Sequence, residues 1–400
     1  MMKKIVILAF LILGLAGKAQ QLVVPFEDYD AISNFEDGVA RVKFNGYWGV
    51  IDKKGEVLIR FKYDSFFWSS TKELGIVSKN REYGLIDREG KHILSLKYEN
   101  IRVSDNGLIG VKLNGKWGYV NLQEEVKIPL KYDDAYSFKD GLAIVELNRK
   151  WGLINTQGEE VVPFKYEKIE RYNGSDVWCV KLNGKWGLLN QKGEELVQPK
   201  YDNDEVYFRD GLARVKFNGK WGFINKKCEE VMFLKCDYVD DFYEGLAAVK
   251  LNGKWGFINK KGEVVIPIKY EKVERISEGL ASVKLNEDWG VVDSEGNEIV
   301  PTQYGKIGRF SEGLASVELN GKYGFLDKTG KIVIPIQYKS VDDFKKGLAQ
   351  VRLNGKKGAI NKKGQVVIPI KYDVMSSLEE DNLIWVKLYD KWGLLKISKF

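Results

Sequence analysis

One dipeptide returns along this chain at an almost constant interval. Taking Trp255-Gly256 as reference, its equivalents fall at Trp48, Tyr83, Trp117, Trp151, Trp186, Trp221, Trp289, Tyr323, Lys357 and Trp392, each followed by Gly, at spacings of 34 or 35 residues. A period this uniform constrains the chain to one continuous repeat array, because every copy must pack on its neighbours in the same way.

Helix pairs also repeat at about 34 residues, so the residue pattern has to decide. After the marker, Val264, Ile266, Ile268 and Tyr270 alternate with Glu263, Val265, Pro267 and Lys269, the two-residue period of a half-buried strand. Before it, Ala247, Val249 and Leu251 alternate with Ala248, Lys250 and Asn252. Asn252-Gly253 sits between two such runs and marks a tight hairpin, since both residues tolerate positive φ. Asn259-Lys260-Lys261-Gly262 is a second turn, whose Asn or Asp can bond backbone two residues on. The expected module is therefore a three-stranded meander: strand A at 246–252, B at 254–258 and C at 263–270, followed by a polar loop of about eight residues.

The ends of the chain bear on how the modules are arranged. Leu22-Val23-Val24-Pro25-Phe26 matches strand C and Trp392-Gly393-Leu394-Leu395 matches strand B, so the chain holds eleven whole C–A–B modules. The fold class expected is all-β, an open β-solenoid or superhelical stack of modules, with a closed propeller-like ring as the alternative. Eleven three-stranded blades lie outside the usual propeller range, which favours the stack. The large rings at the marker and at the Tyr270 type of position are expected to form the core. Pro267 and its equivalents lack an N–H, so strand C is expected to be an edge or bulged.

Before the array stand Met1-Met2-Lys3-Lys4, an apolar run from Ile5 to Ala16, and Gly17-Lys18-Ala19. This reads as a signal peptide over residues 1–19, with the array over 20–400. Twelve apolar residues are short for a bilayer span. The expected location is outside the cytoplasm: periplasmic, cell-envelope or secreted.

The combination Trp-Gly-Phe-Ile-Asn-Lys-Lys-Gly, Val-Ile-Pro, Lys-Tyr and Gly-Leu-Ala, recurring from about residue 21 to residue 400, resembles the bacterial WG-repeat family. The resemblance implies an often exported repeat protein without assigned catalytic residues. Tyr83, Tyr323 and Lys357 depart from its Trp.

Catalytic and metal chemistry find little support. The single His, His92, occupies a slot filled by Glu in other copies, and no Ser stands out as its nucleophile. Cys179, Cys228 and Cys236 form neither a disulfide framework nor a zinc set. Gly110 to Lys116 mimics a phosphate loop but belongs to a hairpin, and Trp117 stands where Ser or Thr would be needed. Acidic residues recur at a fixed slot, as in Asp64, Glu99, Asp133, Glu167, Asp202 and Glu271. No catalytic residue, cofactor or metal is expected.

Two features point instead to binding. Lys43, Lys112, Lys181, Lys216, Lys250, Lys284, Arg352 and Lys387 share one slot on strand A and would align in a stack into a basic stripe, interrupted by Glu146 and Glu318. Removing Lys3, Lys4 and Lys18 with the signal lowers the net charge from +7 to +4, which argues against nucleic acid. Trp68, Trp178 and Trp385 break the repeat and are candidates for stacking on sugar rings or anchoring a protein, though they equally fit repacking of irregular modules or, for Trp385, a terminal cap. The expected function is a non-enzymatic exported scaffold presenting an extended surface to a protein or glycan. The alternatives are anionic-polymer binding along the Lys stripe, an envelope enzyme or inhibitor module with a site of remote residues, and a plain spacer.

Overall fold

A computed structural model describes residues 20–69, 73–171, 177–203, 206–378 and 382–398. The expected signal, residues 1–19, lies outside the described residues. The described chain forms eleven antiparallel sheets, each of four strands rather than three. The additional strand lies in the stretch expected to be a polar loop. In the seventh blade it is Tyr238–Tyr243, followed by Leu246–Leu251, Lys254–Asn259 and Val264–Tyr270. In most blades it is only two residues long, as in Lys272–Val273, too short to show a period in sequence. We call the four strands a, b, c and d and number the blades 1 to 11 in chain order.

The turns form as their chemistry dictates. The b–c hairpins carry positive φ at Asn252 and Gly253, and Tyr389 adopts the same φ of 50° in the last blade. At the c–d turns the side chain of Asn259 accepts hydrogen bonds from the backbone N–H of Lys261 and Glu263 at 2.9 and 3.0 Å. Strand d is an edge and is also bulged: Trp255 pairs with Tyr270 but Phe257 pairs with Ile266, so two steps on c oppose four on d. Pro267 lies within the bulge, where no ladder donor is required. The marker glycine lies beneath it, and a Cβ on Gly256 would stand 2.5 Å from the Ile266 carbonyl oxygen. This close approach accounts for Gly at this slot in every copy. Blade 6 has no Pro in strand d and lacks the wide bulge, with Trp221, Gly222 and Phe223 pairing in step with Leu234, Phe233 and Met232.

The expected open stack is replaced by a closed ring. Gln20–Glu27 pairs antiparallel with Lys391–Ile397 and supplies strand d of blade 11. Val24, from this closing strand, enters a core with Leu383, Trp385 and Leu394 of blade 11 and Phe35, Ala40, Val42 and Ile51 of blade 1. Buried apolar residues form eleven such clusters, one at every junction between successive blades including that of 11 with 1. An open array of the same blades would have one junction fewer and would leave an apolar face at each end. Closure removes both faces, which is the physical reason the ring wins over the stack.

The junction cores are built from residues such as Phe257, Ile266 and Tyr270 of one blade and Ile276, Ala281 and Val283 of the next. The expectation that marker rings form the core holds only in part. Tyr at the Tyr270 type of slot is buried except for the half-buried Tyr304, whereas Trp48, Trp151, Trp221, Trp255 and Trp392 are half-buried. They lie beside the b–c hairpins.

Candidate functional site

In an antiparallel four-stranded meander the a–b and c–d turns share one face of the ring, and the b–c hairpins and blade-to-blade links share the other. On the hairpin face, the acidic residues that recur in the sequence have a structural task. In most blades a link carboxylate caps the b–c hairpin: Asp30 accepts from Gly46 N–H at 2.7 Å, Asp64 from Asn80 at 2.7 Å, Asp202 from Gly219 at 2.8 Å and Asp237 from Gly253 at 3.0 Å, whereas blade 10 has Lys339 at the link. The lysine preceding the marker of the previous blade often joins them, as Lys116 does with Asp133, Lys185 with Asp202 and Lys356 with Asp373. Hydrogen bonding to Lys116 holds the Asp133 carboxyl below its ordinary pKa, and hydrogen bonding to Lys356 does the same for Asp373. In blade 9 the link residue is Gly305, and Glu318 takes its place by accepting from Gly321 N–H. Glu318, which interrupts the Lys column, is thus a relocated cap.

The Lys column does not become a linear stripe. Each member lies opposite its own marker, as Lys43 faces Trp48, Lys112 faces Trp117 and Lys284 faces Trp289, so the eight residues are distributed around the ring. The amines of Lys181, Lys216, Lys250 and Lys387 lie over their marker rings at 5.7, 5.1, 5.7 and 6.0 Å. Lys284 and Lys387 also bridge Glu287 and Asp390, and Arg352 donates to the Gly355 carbonyl. The link N–H bonds to the carbonyl of the column residue, for example Asp237 to Lys250, so a carboxylate stands beside the base. The result is an alternating circle of charge instead of a uniformly basic surface.

On the opposite face, acids of the a–b turns reach the next blade. Asp210 accepts from Gly245 N–H, Glu244 from Glu278 and Gly279, Glu278 from Gly313, and Glu312 from Gly347, all between 2.8 and 3.0 Å. Lysines of the c–d turns close these clasps, with Lys328 on Glu278 and Lys362 on Glu312.

The three irregular tryptophans occupy different settings. Trp178 and Trp385 are buried, 2 % and 0 % exposed, in the cores between blades 4 and 5 and between blades 11 and 1, so the expectation of exposed stacking surfaces is corrected for both. Trp68 is half-buried, with its ring 4.9 Å from that of Phe66. The cause is a second slot, thirteen residues before the marker, filled by Phe35, Phe138, Phe208, Phe242, Ile276, Phe310 and Phe344. Phe138, Phe242, Ile276, Phe310 and Phe344 are all buried in blade junctions. The slot holds Ser70, Ser104, Asn173 and Glu379 in blades 2, 3, 5 and 11. Trp68 and Trp178 lie in the junctions that the missing Phe of blades 2 and 5 would have filled and supply apolar volume there, whereas Trp385 packs in the junction of blade 11 with blade 1, beside Phe35.

Blade 3 has the small residue, Ser104, without a compensating Trp. Ser104 is buried and its hydroxyl accepts from Phe138 N–H at 2.8 Å. Here lies a cavity of about 560 Å³, lined by strands a of blades 2 and 3, the segments after strands a of blades 2 to 5, and Ile76, Ile144 and Trp178 on strands b. That four successive a edges meet in one cavity places those edges on the concave side of the ring. Trp68 and Trp178 line it from opposite ends, with Ile76, Val103, Phe138 and Ile144 between them. Tyr136, 46 % exposed, stands at its rim; the Arg102 guanidinium is stacked 4.6 Å from the Tyr136 ring and donates to Asp134 and to the Ala135 carbonyl. Tyr119 donates to the Tyr136 carbonyl at 2.6 Å, and its burial pushes the hydroxyl pKa up. The indole N–H groups of Trp68 and Trp178 have no acceptor among the described residues; that of Trp385 also lacks one, but in a sealed core. The exception at Ser104 is legible in sequence once the Phe slot is recognised; the convergence of four blades on it is not.

His92 lies exposed on strand d of blade 2, its Nε2 3.4 Å from the Tyr63 hydroxyl, and Cys179, Cys228 and Cys236 form no disulfide with one another. Among the described residues no group of His, Cys, Asp and Glu is arranged to hold a metal.

Eleven four-stranded blades, closed by pairing of the two chain ends, define a ring of the β-propeller type with structural polar networks on both faces. A family profile described as WG containing repeat matches eleven consecutive stretches, from 14–48 and 48–81 through to 323–356 and 358–392. The chain belongs to this WG repeat family. Curated proteins include no match. Among solved structures, similarity is found to a eukaryotic initiation factor (9 % identity, 82 % of this chain and 94 % of that one, TM-score 0.43). It is also found to PorZ of Porphyromonas gingivalis, a surface component of the type-IX secretion system (10 %, 92 % and 63 %, 0.27), and to Saccharomyces cerevisiae Sqt1 (12 %, 65 % and 93 %, 0.32). Superpositions this distant assign no function.

Proposed function

We propose that this protein is a non-enzymatic scaffold, exported from the cell, that presents its ring to a protein or glycan partner. One observation carries the reading. The charged side chains multiplied by the repeat are taken up in capping hairpins and clasping blades, while three of the four blades that lack the regular Phe, blades 2, 3 and 5, stand around one aromatic-lined cavity. Binding proteins built on repeats commonly place recognition where the regular frame varies. The alternating charge on the hairpin face weighs against a polyanion as partner. Among the described residues no helix is long and apolar enough to cross a membrane.

The reading is tested by expressing the full chain in a bacterium and sequencing the N-terminus of the product recovered outside the cytoplasm, which should begin at Gln20. That product is then screened on glycan and protein arrays at low and physiological salt. Selective binding that survives physiological salt supports the scaffold. Binding that vanishes with salt indicates a polyanion instead, and turnover of any arrayed compound refutes the non-enzymatic reading.

A further inference from the structure

We propose that the cavity between blades 2 and 5 is a binding site for a neutral saccharide unit, an inference that rests on the scaffold reading above. The cavity volume of about 560 Å³ falls within the range of small-molecule sites. Its walls combine the two features a sugar ring requires. Trp68 and Tyr136 offer aromatic surface to the C–H faces of a pyranose, and among the described residues the indole N–H groups of Trp68 and Trp178 lack acceptors that ring hydroxyl oxygens can supply. Trp178 is 2 % exposed, so its unpaired N–H is costly while the cavity stays apolar and is relieved by an oxygen ligand.

Charge selects the class of ligand. Arg102 is paired with Asp134 at 2.8 Å and Arg171 with Asp140 at 2.6 Å, while exposed Lys139 and Asp105 balance each other at the wall. The site carries no net charge with which to hold a carboxylated or phosphorylated sugar. Its origin is equally specific. Where other blades insert Phe, blade 3 has Ser104, and at the slot where Arg41 and Arg214 reach the next blade's backbone, blades 2 and 4 carry Ile76 and Ile144. Shorter, apolar side chains at these points leave the space open.

The test uses the full chain with ¹⁵N-labelled tryptophan, the Trp68 and Trp178 indole signals being assigned from the W68F and W178F variants. A panel of neutral hexoses, N-acetylhexosamines and their disaccharides is titrated. The expected result is a saturable shift of both signals by at least one sugar. Tyr136→Ala should weaken it about tenfold, by loss of one aromatic face, in a ring that remains folded. Ser104→Phe, which restores the regular residue and fills the cavity, should abolish binding in a folded ring. Sugar binding that shifts other indoles but neither of these two overturns the site and leaves the scaffold reading standing. The absence of any shift with the whole panel also overturns the site, and the arrays then decide the scaffold reading separately. Undiminished binding by the folded Ser104→Phe variant overturns it as well.

Discussion

Trp385→Ala is the sharpest probe of the ring. Trp385 is fully buried and stacks on Phe35, with ring centroids 5.7 Å apart and planes 11° from parallel. Its partner lies at the other end of the chain, so the contact exists only if blades 1 and 11 meet. A buried Trp hides about 200 Å² of apolar surface, which at roughly 25 cal/mol per Å² amounts to about 5 kcal/mol. Truncation to Ala in a packed core costs about 3–5 kcal/mol. If that loss falls on the junction, opening there becomes about 10²- to 10³-fold more frequent, at about 1.4 kcal/mol per factor of ten. Amide hydrogen exchange in the native state reads this directly. Exchange should accelerate in Leu383–Leu388 and Lys391–Ile397 and also in Val39–Phe44 and Tyr47–Asp52, while Leu212–Phe217 in blade 6 stays protected. Acceleration confined to blade 11, with blade 1 unchanged, would refute the closed ring, because an open array leaves blade 1 uncoupled from the chain's end.

Three further outcomes follow from particular side chains. Burial alone would raise the Glu278 pKa, but hydrogen bonds from Lys328 and from the Gly313 and Glu312 backbone outweigh it and hold the carboxyl below its ordinary value. Its contribution is therefore complete above the unfolded-state pKa and lost as pH falls through the lowered one. Glu278→Gln should lower the urea midpoint at pH 7, equivalent to about 1 kcal/mol or less for this part-exposed pair, with the difference from the parent closing below about pH 4; a constant difference down to pH 3 contradicts the assignment. Gly305→Asp should destabilise the parent, because Glu318 already fills that space, and be tolerated with Glu318→Lys. A double-mutant cycle should return a coupling of about 1 kcal/mol or more, and additive effects would remove the relocated-cap explanation. Cys228 holds a φ of 63° at a slot that is Gly in most blades. Cys228→Gly should raise the urea midpoint by the equivalent of about 1 kcal/mol, since the left-handed conformation costs a side-chain-bearing residue about that much; a lower midpoint would mean that thiol packing against the neighbouring core dominates.

The repeat period, strands b, c and d and both turn types are legible in the sequence because each is a local matter: alternation, Asn-Gly pairs and Asn-capped turns act within a few residues. Strand a escapes because two residues opposite a longer strand leave no periodic trace. The recurring acids are visible as a column, yet their work as caps appears only when Asp237 is brought to the Gly253 N–H across the sheet. Trp178 and Trp385 look like exposed exceptions in a linear reading, since exposure depends on which blade packs opposite. By itself, then, the sequence determines strands b, c and d of the blade and the number of copies, because those rest on short-range backbone chemistry repeated eleven times. Tertiary structure decides that the blades close, that Gln20–Glu27 completes the last of them, and that four neighbours share a cavity at Ser104. These depend on the small rotation from each blade to the next, summed around the ring, a quantity that no single repeat encodes.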